Sequence, residues 1–189
     1  MKHLILSTAI ALVSTAAMAA DKYVLDSSHS QILFSFSHLG YSVTTGMFSG
    51  FEGEITLDKA NPAASSVSVT IPAETIYTGW TARDAHFKTE DFFGAEANPV
   101  VTFTSTAIEL TGDETAKITG DLTMNGITKP VVLDASLNQF GIHPQMEVDW
   151  AGFNATTTVL RSDFDMGMFA PYVGDEVSIE ISIEAMKEG

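Results

Sequence analysis

The sequence contains no cysteine, which excludes disulfides, thiolate metal sites and cysteine nucleophiles together. Packing and backbone hydrogen bonds must hold the fold. Basic residues are scarce: 9 Lys and Arg stand against 24 Asp and Glu, a formal charge of −15. Such a surface disfavours nucleic-acid phosphate and unaided adhesion to anionic lipid, and it favours solubility. Catalytic motifs are missing as well. There is no G-x-S-x-G, no G-x-x-x-x-G-K, and no H-x-x-x-H or H-E-x-x-H spacing, so neither a metal nor a cofactor is expected. No internal repeat, low-complexity tract or linker divides the chain.

The longest-range feature present is an export signal over residues 1–19. Lys2 and His3 form a short basic start, and Leu4–Val13 is an uncharged apolar run. Ala17 and Ala19 then occupy the two restricted positions of an A-x-A cleavage site. The run is shorter than the roughly 20 residues a membrane-crossing helix needs, and no later stretch is long or apolar enough to span a bilayer. Cleavage after Ala19 would leave a mature chain, residues 20–189, beginning Ala20-Asp21-Lys22. Its size suits one domain or one ligand-holding barrel.

Period-2 alternation dominates the remainder. Ile32, Phe34 and Phe36 share one face, as do Val67, Val69 and Ile71. Further sets are Ile118 with Gly120, Leu122 and Met124; Val131 with Leu133, Ala135 and Leu137; and Val177 with Ile179, Ile181 and Ile183. Each has one buried and one wet face, as in antiparallel sheets. Turn residues separate these runs at Asn61-Pro62, Thr111-Gly112-Asp113, Asn125-Gly126, Gly141 with Pro144, and Pro171–Gly174. Asn125-Gly126 suits a tight hairpin. Residues 80–93 break the alternation: charges cluster, and Trp80, Asp84 and Phe87 recur at helical spacing, with Gly94 placed to stop the helix. The expected order is four strands, one short helix and five more strands. That order reads as an all-β, extended antiparallel barrel of about eight strands, wide enough to enclose one small ligand. A two-sheet sandwich is the alternative.

Outside the signal, the histidines are His29, His38, His86 and His143. His38 ends the aromatic strand, and His86 shares the helical segment with Arg83 and Asp84. Arg83 either braces the barrel end through a carboxylate or meets a polar ligand head at the mouth. Phenylalanines concentrate in the first half of the mature chain, while Met47, Met124, Met146, Met166 and Met168 add adaptable apolar surface. Gly46, Gly50, Gly53 and Gly120 interrupt strand patterns, where glycine permits bends or close approach. These residues alone leave a lipid cavity and a plainly packed core equally open.

An ordered set of motifs then resembles the YceI-like proteins. It comprises His29-Ser30, His38-Leu39-Gly40-Tyr41, Gly46–Gly53, Arg83–Phe87, Asp91–Phe93, Pro99–Thr106, Gly120–Val131, Arg161–Phe164 and Val173–Val177. The resemblance implies a lipocalin-like barrel with a long apolar tunnel in a bacterial, often periplasmic, protein. Its ligand would be a long-chain isoprenoid or other amphiphilic lipid, an isoprenoid quinone or a polyprenyl phosphate, and a homodimer is compatible with it. Carried onto this chain, the resemblance lines the tunnel with Ile32, Phe34, Phe36, Met47, Phe48, Phe87, Phe92 and Phe93, and puts His38 and Arg83 at the mouth. Phe164-Asp165 departs from the family's usual Phe-Gly or Phe-Asn, and Met166–Ala170 is unusually apolar, so one cavity mouth is expected to differ in shape. A binding protein without chemistry is the expected function. The alternatives are an enzyme using His38, Asp84 or His86 as acid–base groups, or a stress-related structural protein without a ligand.

Overall fold

The computed structural model describes residues 20–189, so the predicted signal segment lies outside the described residues. The strands are β1 (Asp21–Leu25), β2 (Gln31–His38), β3 (Ser42–Phe48), β4 (Glu52–Leu57), β5 (Ser66–Pro72), β6 (Val100–Leu110), β7 (Thr115–Met124), β8 (Ile127–Ile142), β9 (Asp149–Leu160) and β10 (Glu176–Lys187). One α-helix, α1 (Thr81–Phe87), lies between β5 and β6. Five strands therefore precede the helix, where alternation predicts four.

All pairings are antiparallel, and the sheet closes because β1 pairs with both β4 and β10. The closed circuit has eight strands, β1-β4-β5-β6-β7-β8-β9-β10. Strands β2 and β3 continue it upward as a hairpin: β10 pairs with β1 through Ala185–Lys187 and with β2 through Ser178–Ser182. Closure pairs the circuit strands on both sides over most of their length, which limits the edges that would otherwise invite aggregation. The Asn125-Gly126 turn is a two-residue hairpin with φ of 48° and 72°, which places Met124 opposite Ile127.

The helix ends at Phe87, earlier than the spacing predicts. Thr89 bonds back to the His86 carbonyl through both its backbone N–H and its hydroxyl. Turns then run on past Gly94, whose positive φ shapes a later bend rather than stopping the helix. Trp80 precedes the helix and is exposed. The glycine expectation holds at Gly46 and Gly120: a Cβ there would strike the rings of Phe34 and Phe103. Gly50 instead occupies the turn between β3 and β4 at φ 65°.

Two features make one end of the barrel open. The β8–β9 ladder runs from Ile142–Asp149 up to Asp134–Thr156 and stops there, although both strands continue. Pro130 pairs with Asp121 of β7 but lies in the part of β8 that has no β9 partner, a free edge where a missing N–H costs nothing. Strand β3 likewise has β2 on one side, and on the other only an isolated bridge from Met47 to Tyr77. The most deeply buried residues, each no more than 1% exposed, are Tyr23, Ala151 and Ala185 in the lower barrel and Phe51, Ala73 and Phe164 nearer the open end.

Candidate functional site

At the open end, the β2–β3 hairpin, α1 and the connection between β9 and β10 surround a cavity of about 430 Å³. Period-2 alternation aims Phe34 and Phe36 inward from β2, and Phe48 from β3. Helix α1 supplies Arg83, His86 and Phe87, and the turns after it supply Phe92 and Phe93. The rings form two contacting sets: Phe34–Phe48 at 5.7 Å with Phe48–Phe93 at 5.5 Å, and Phe36–Phe87 at 6.1 Å with Phe87–Phe92 at 5.0 Å between centroids. Offset and edge contacts of this kind hold a wall in shape without filling the space it encloses. Across the cavity, Val177 and Ile179 of β10 face inward yet remain only half-buried.

Eight of the ten residues expected to line the tunnel or stand at its mouth do border this cavity: Phe34, Phe36, His38, Phe48, Arg83, Phe87, Phe92 and Phe93. Ile32 does not border it, and is buried in the core. Met47 alternates with Gly46 and Phe48, so its side chain points to the other face of β3. Sequence reasoning missed Trp80, Val159, Arg161, Met166, Phe169 and Val173, which border the same space. The unusually apolar Met166–Ala170 stretch was the legible signal for Met166 and Phe169.

Arg161 is the buried charge of the site, 7% exposed. Its guanidinium donates to four backbone carbonyls: Nε to Gly174 (2.8 Å), Nη1 to Met166 and Met168 (2.7 Å for the latter), and Nη2 to Val173 (2.8 Å). Burial pushes its pKa down, opposed by the Asp175 carboxylate. The cation thus organises the whole β9–β10 connection. Asp165, beside it, adopts the left-handed conformation at φ 57° and ψ 28°. That conformation favours Gly or Asn, and Asp tolerates it better than most residues.

Arg83 braces the opposite wall, but not through a carboxylate. Its Nε donates to Thr78 Oγ1 (2.8 Å) and its Nη2 to the Thr78 carbonyl (2.7 Å), while the guanidinium lies 5.8 Å from the Trp80 ring. Asp84 is spent on the same threonine, accepting from the Thr78 N–H (2.8 Å) and hydroxyl. His86 pairs with Asp91 at 3.1 Å. His38 is exposed, and its backbone bridges to Val173. Among the described residues, no hydrogen bond links His38, Asp84 and His86 to one another, so the acid–base constellation of the enzymatic alternative is not assembled. Elsewhere, Asp26, His29 and Glu184 come within 4.8 Å of one another. Their ligand atoms are engaged: His29 Nδ1 lies 2.6 Å from Asp26, and Glu184 accepts from Trp150 Nε1 at 2.7 Å.

A second, more polar groove of about 630 Å³ lies on the wall where β8 and β9 separate. It shares Val159 and Ile179 with the cavity, so those two side chains form the partition between them.

Comparison with known proteins gives a consistent neighbourhood. The YceI-like domain family matches residues 23–185. A UPF0312 protein of Ectopseudomonas mendocina is 41% identical over 184 residues, covering 94% of this chain and 93% of the relative. The crystal structure of Burkholderia cenocepacia BcnA superposes with a TM-score of 0.76 at 25% identity, covering 85% of this chain and 98% of that one. A mutant Campylobacter jejuni YceI protein with a monobromobimane guest superposes at 0.74 with 30% identity, covering 81% and 90%. A polyisoprenoid-binding domain from Saccharophagus degradans has the same fold, with a TM-score of 0.69, 12% identity, and coverage of 90% and 100%.

Proposed function

The chain belongs to the YceI-like domain family, and from that premise we propose that it is a periplasmic carrier for a long-chain amphiphile of the polyisoprenoid type. It performs no chemistry of its own. The observation that carries this reading is the unfilled, aromatic-walled cavity of about 430 Å³ at the open end of the barrel. A protein interior normally packs as densely as an organic crystal, so retained empty space walled by ordered rings is space for a ligand. The polyisoprenoid-binding neighbour supports the same reading by analogy of fold.

The energetics suit a chain-shaped ligand. At about 0.8 kcal/mol per buried CH₂, each five-carbon unit contributes on the order of 3–4 kcal/mol before ordering costs. At roughly 30 Å³ per water-sized group, the cavity admits on the order of a dozen heavy atoms, which is the first few units of a long chain. The half-buried inward residues of β10 and β8, among them Ile181, Ile183, Leu133 and Leu137, continue an apolar surface along which further units extend. The contacting rings hold the entry, and the acidic exterior keeps the carrier soluble.

Native mass spectrometry of protein purified from the periplasm without added lipid tests the proposal. The expected result is a retained amphiphile on a polypeptide beginning at Ala20. An unliganded mass that takes up no lipid, or recovery of the intact Met1 form from the cytoplasm as main product, overturns the carrier or the export part respectively.

A further inference from the structure

The chain has only two arginines, Arg83 and Arg161, and both border the one aromatic-walled cavity. Acids outnumber bases by 24 to 9 in the sequence, yet no Asp or Glu borders that cavity. Charge elsewhere follows the opposite rule. Lys22, Lys59, Lys88, Lys117 and Lys187 each lie within 4.0 Å of a carboxylate, whereas neither arginine does. The groove just across Val159 and Ile179 supplies an internal control: it carries Asp134, Asp163 and Glu180 against Lys129 alone.

The nearby carboxylates are turned to other work. Asp84 is held by Thr78, Asp91 by His86, and Asp175 by the Ser162 N–H and hydroxyl. Four carbonyls satisfy the N–H groups of Arg161, and no carboxylate lies at ion-pair distance from it. Arg83 uses two of its five N–H donors on Thr78. Opposite walls of an apolar space therefore carry guanidiniums with no carboxylate at ion-pair distance, where low polarity strengthens attraction to an anion that does reach them.

Resting on the carrier reading above, we propose that the ligand's head is anionic, a phosphate or carboxylate rather than a neutral alcohol or quinone. Arg83 donates to it directly, and Arg161 attracts it from the far wall. The apolar chain supplies binding strength, while the two guanidiniums select the head.

The test uses delipidated protein and a matched pair with one chain, farnesyl monophosphate and farnesol, titrated calorimetrically at low and high salt. Farnesyl monophosphate should bind about tenfold tighter or more, the difference expected between a charged and a neutral hydrogen-bond acceptor. Arg83→Gln should weaken farnesyl monophosphate far more than farnesol, erasing most of that preference, and Arg83→Lys should restore part of it. High salt should narrow the gap in the unmodified protein, a readout that needs no variant to fold. Inorganic phosphate alone should bind far more weakly than farnesyl monophosphate. Equal affinity for the two farnesyl ligands overturns the anionic-head inference and leaves the carrier reading intact. So does a phosphate preference untouched by Arg83→Gln, or inorganic phosphate binding as tightly as the lipid. Binding of neither farnesyl compound overturns the carrier reading itself, and the inference with it.

Discussion

The two ends of the barrel solve the same problem of placing cations near an apolar interior in opposite ways. At the sealed end, Lys59 reaches Asp21 at 3.1 Å and covers the Phe140 ring at 4.5 Å, while Lys187 holds Asp21 at 2.8 Å. These are partly exposed, conventional ion pairs around the buried Tyr23 and its edge contact with Phe140. At the open end, Arg161 is buried among carbonyls and Arg83 is tied to Thr78, with no carboxylate on either. The sealed end spends its cations on structure. The open end keeps charge in reserve beside an empty space, which is the arrangement a binding site needs.

The largest expected effect breaks this comparison at its most buried point. Arg161→Met removes the donors to four carbonyls, and each acceptor left unsatisfied costs about 1–3 kcal/mol. A loss of about 3 kcal/mol or more should appear in urea unfolding. Lys59→Met at the sealed end should cost only about 0–1 kcal/mol, as exposed pairs do. If the two substitutions cost the same, the ends do not differ in the way described.

A middle-sized effect separates cavity from core. Phe36 borders the cavity and touches Phe87. Phe36→Trp should obstruct the space, so amphiphile retained per folded molecule should fall by about half or more while stability changes by less than about 1 kcal/mol. Overpacking a filled core costs about 1–3 kcal/mol instead. A loss of that size with unchanged lipid content would show that Phe36 packs against neighbours rather than space.

The smallest effect is electrostatic and belongs to the sealed end. Hydrogen bonds from Lys187 and then Lys59 hold the Asp21 carboxyl below its ordinary value of 3.8. A carboxylate with a depressed folded pKa stabilises the fold above that ordinary value. The contribution is lost as pH falls through the folded pKa. Below about pH 4, amide exchange should therefore quicken first in β1 and the C-terminal end of β10, before β2 and β3. Asp21→Asn should remove that acid-dependent difference. Quickening that begins in the β2–β3 hairpin would contradict it.

Much of the architecture was legible because its signals are local. Alternation at Ile32, Phe34 and Phe36, or at Val177, Ile179, Ile181 and Ile183, specifies which face is buried, since a one-residue slip would expose every apolar side chain. Asn125-Gly126 encodes its hairpin in two adjacent residues that accept positive φ. The missed strand and the overlong helix arose where local pattern is weak. Before the helix, β1, β3 and β4 are short and carry none of the alternating sets named above, and the helix ends by side-chain and backbone capping around Thr89 rather than at a glycine. The site was half legible: the aromatic strand and helix declared themselves, while Arg161, Val159 and Val173 did not.

By itself, then, the sequence determined the all-β class, the eight-strand closure's inward faces, the absence of thiol chemistry and the acidic exterior. These follow from residue type and period-2 spacing, which need no knowledge of distant partners. Only the tertiary structure decided that the inward faces enclose space, and that two arginines 78 positions apart share it. Alternation states which way a side chain points, but whether opposing side chains meet depends on barrel width. The position of Arg161 depends on four carbonyls that converge only once β9 and β10 are paired.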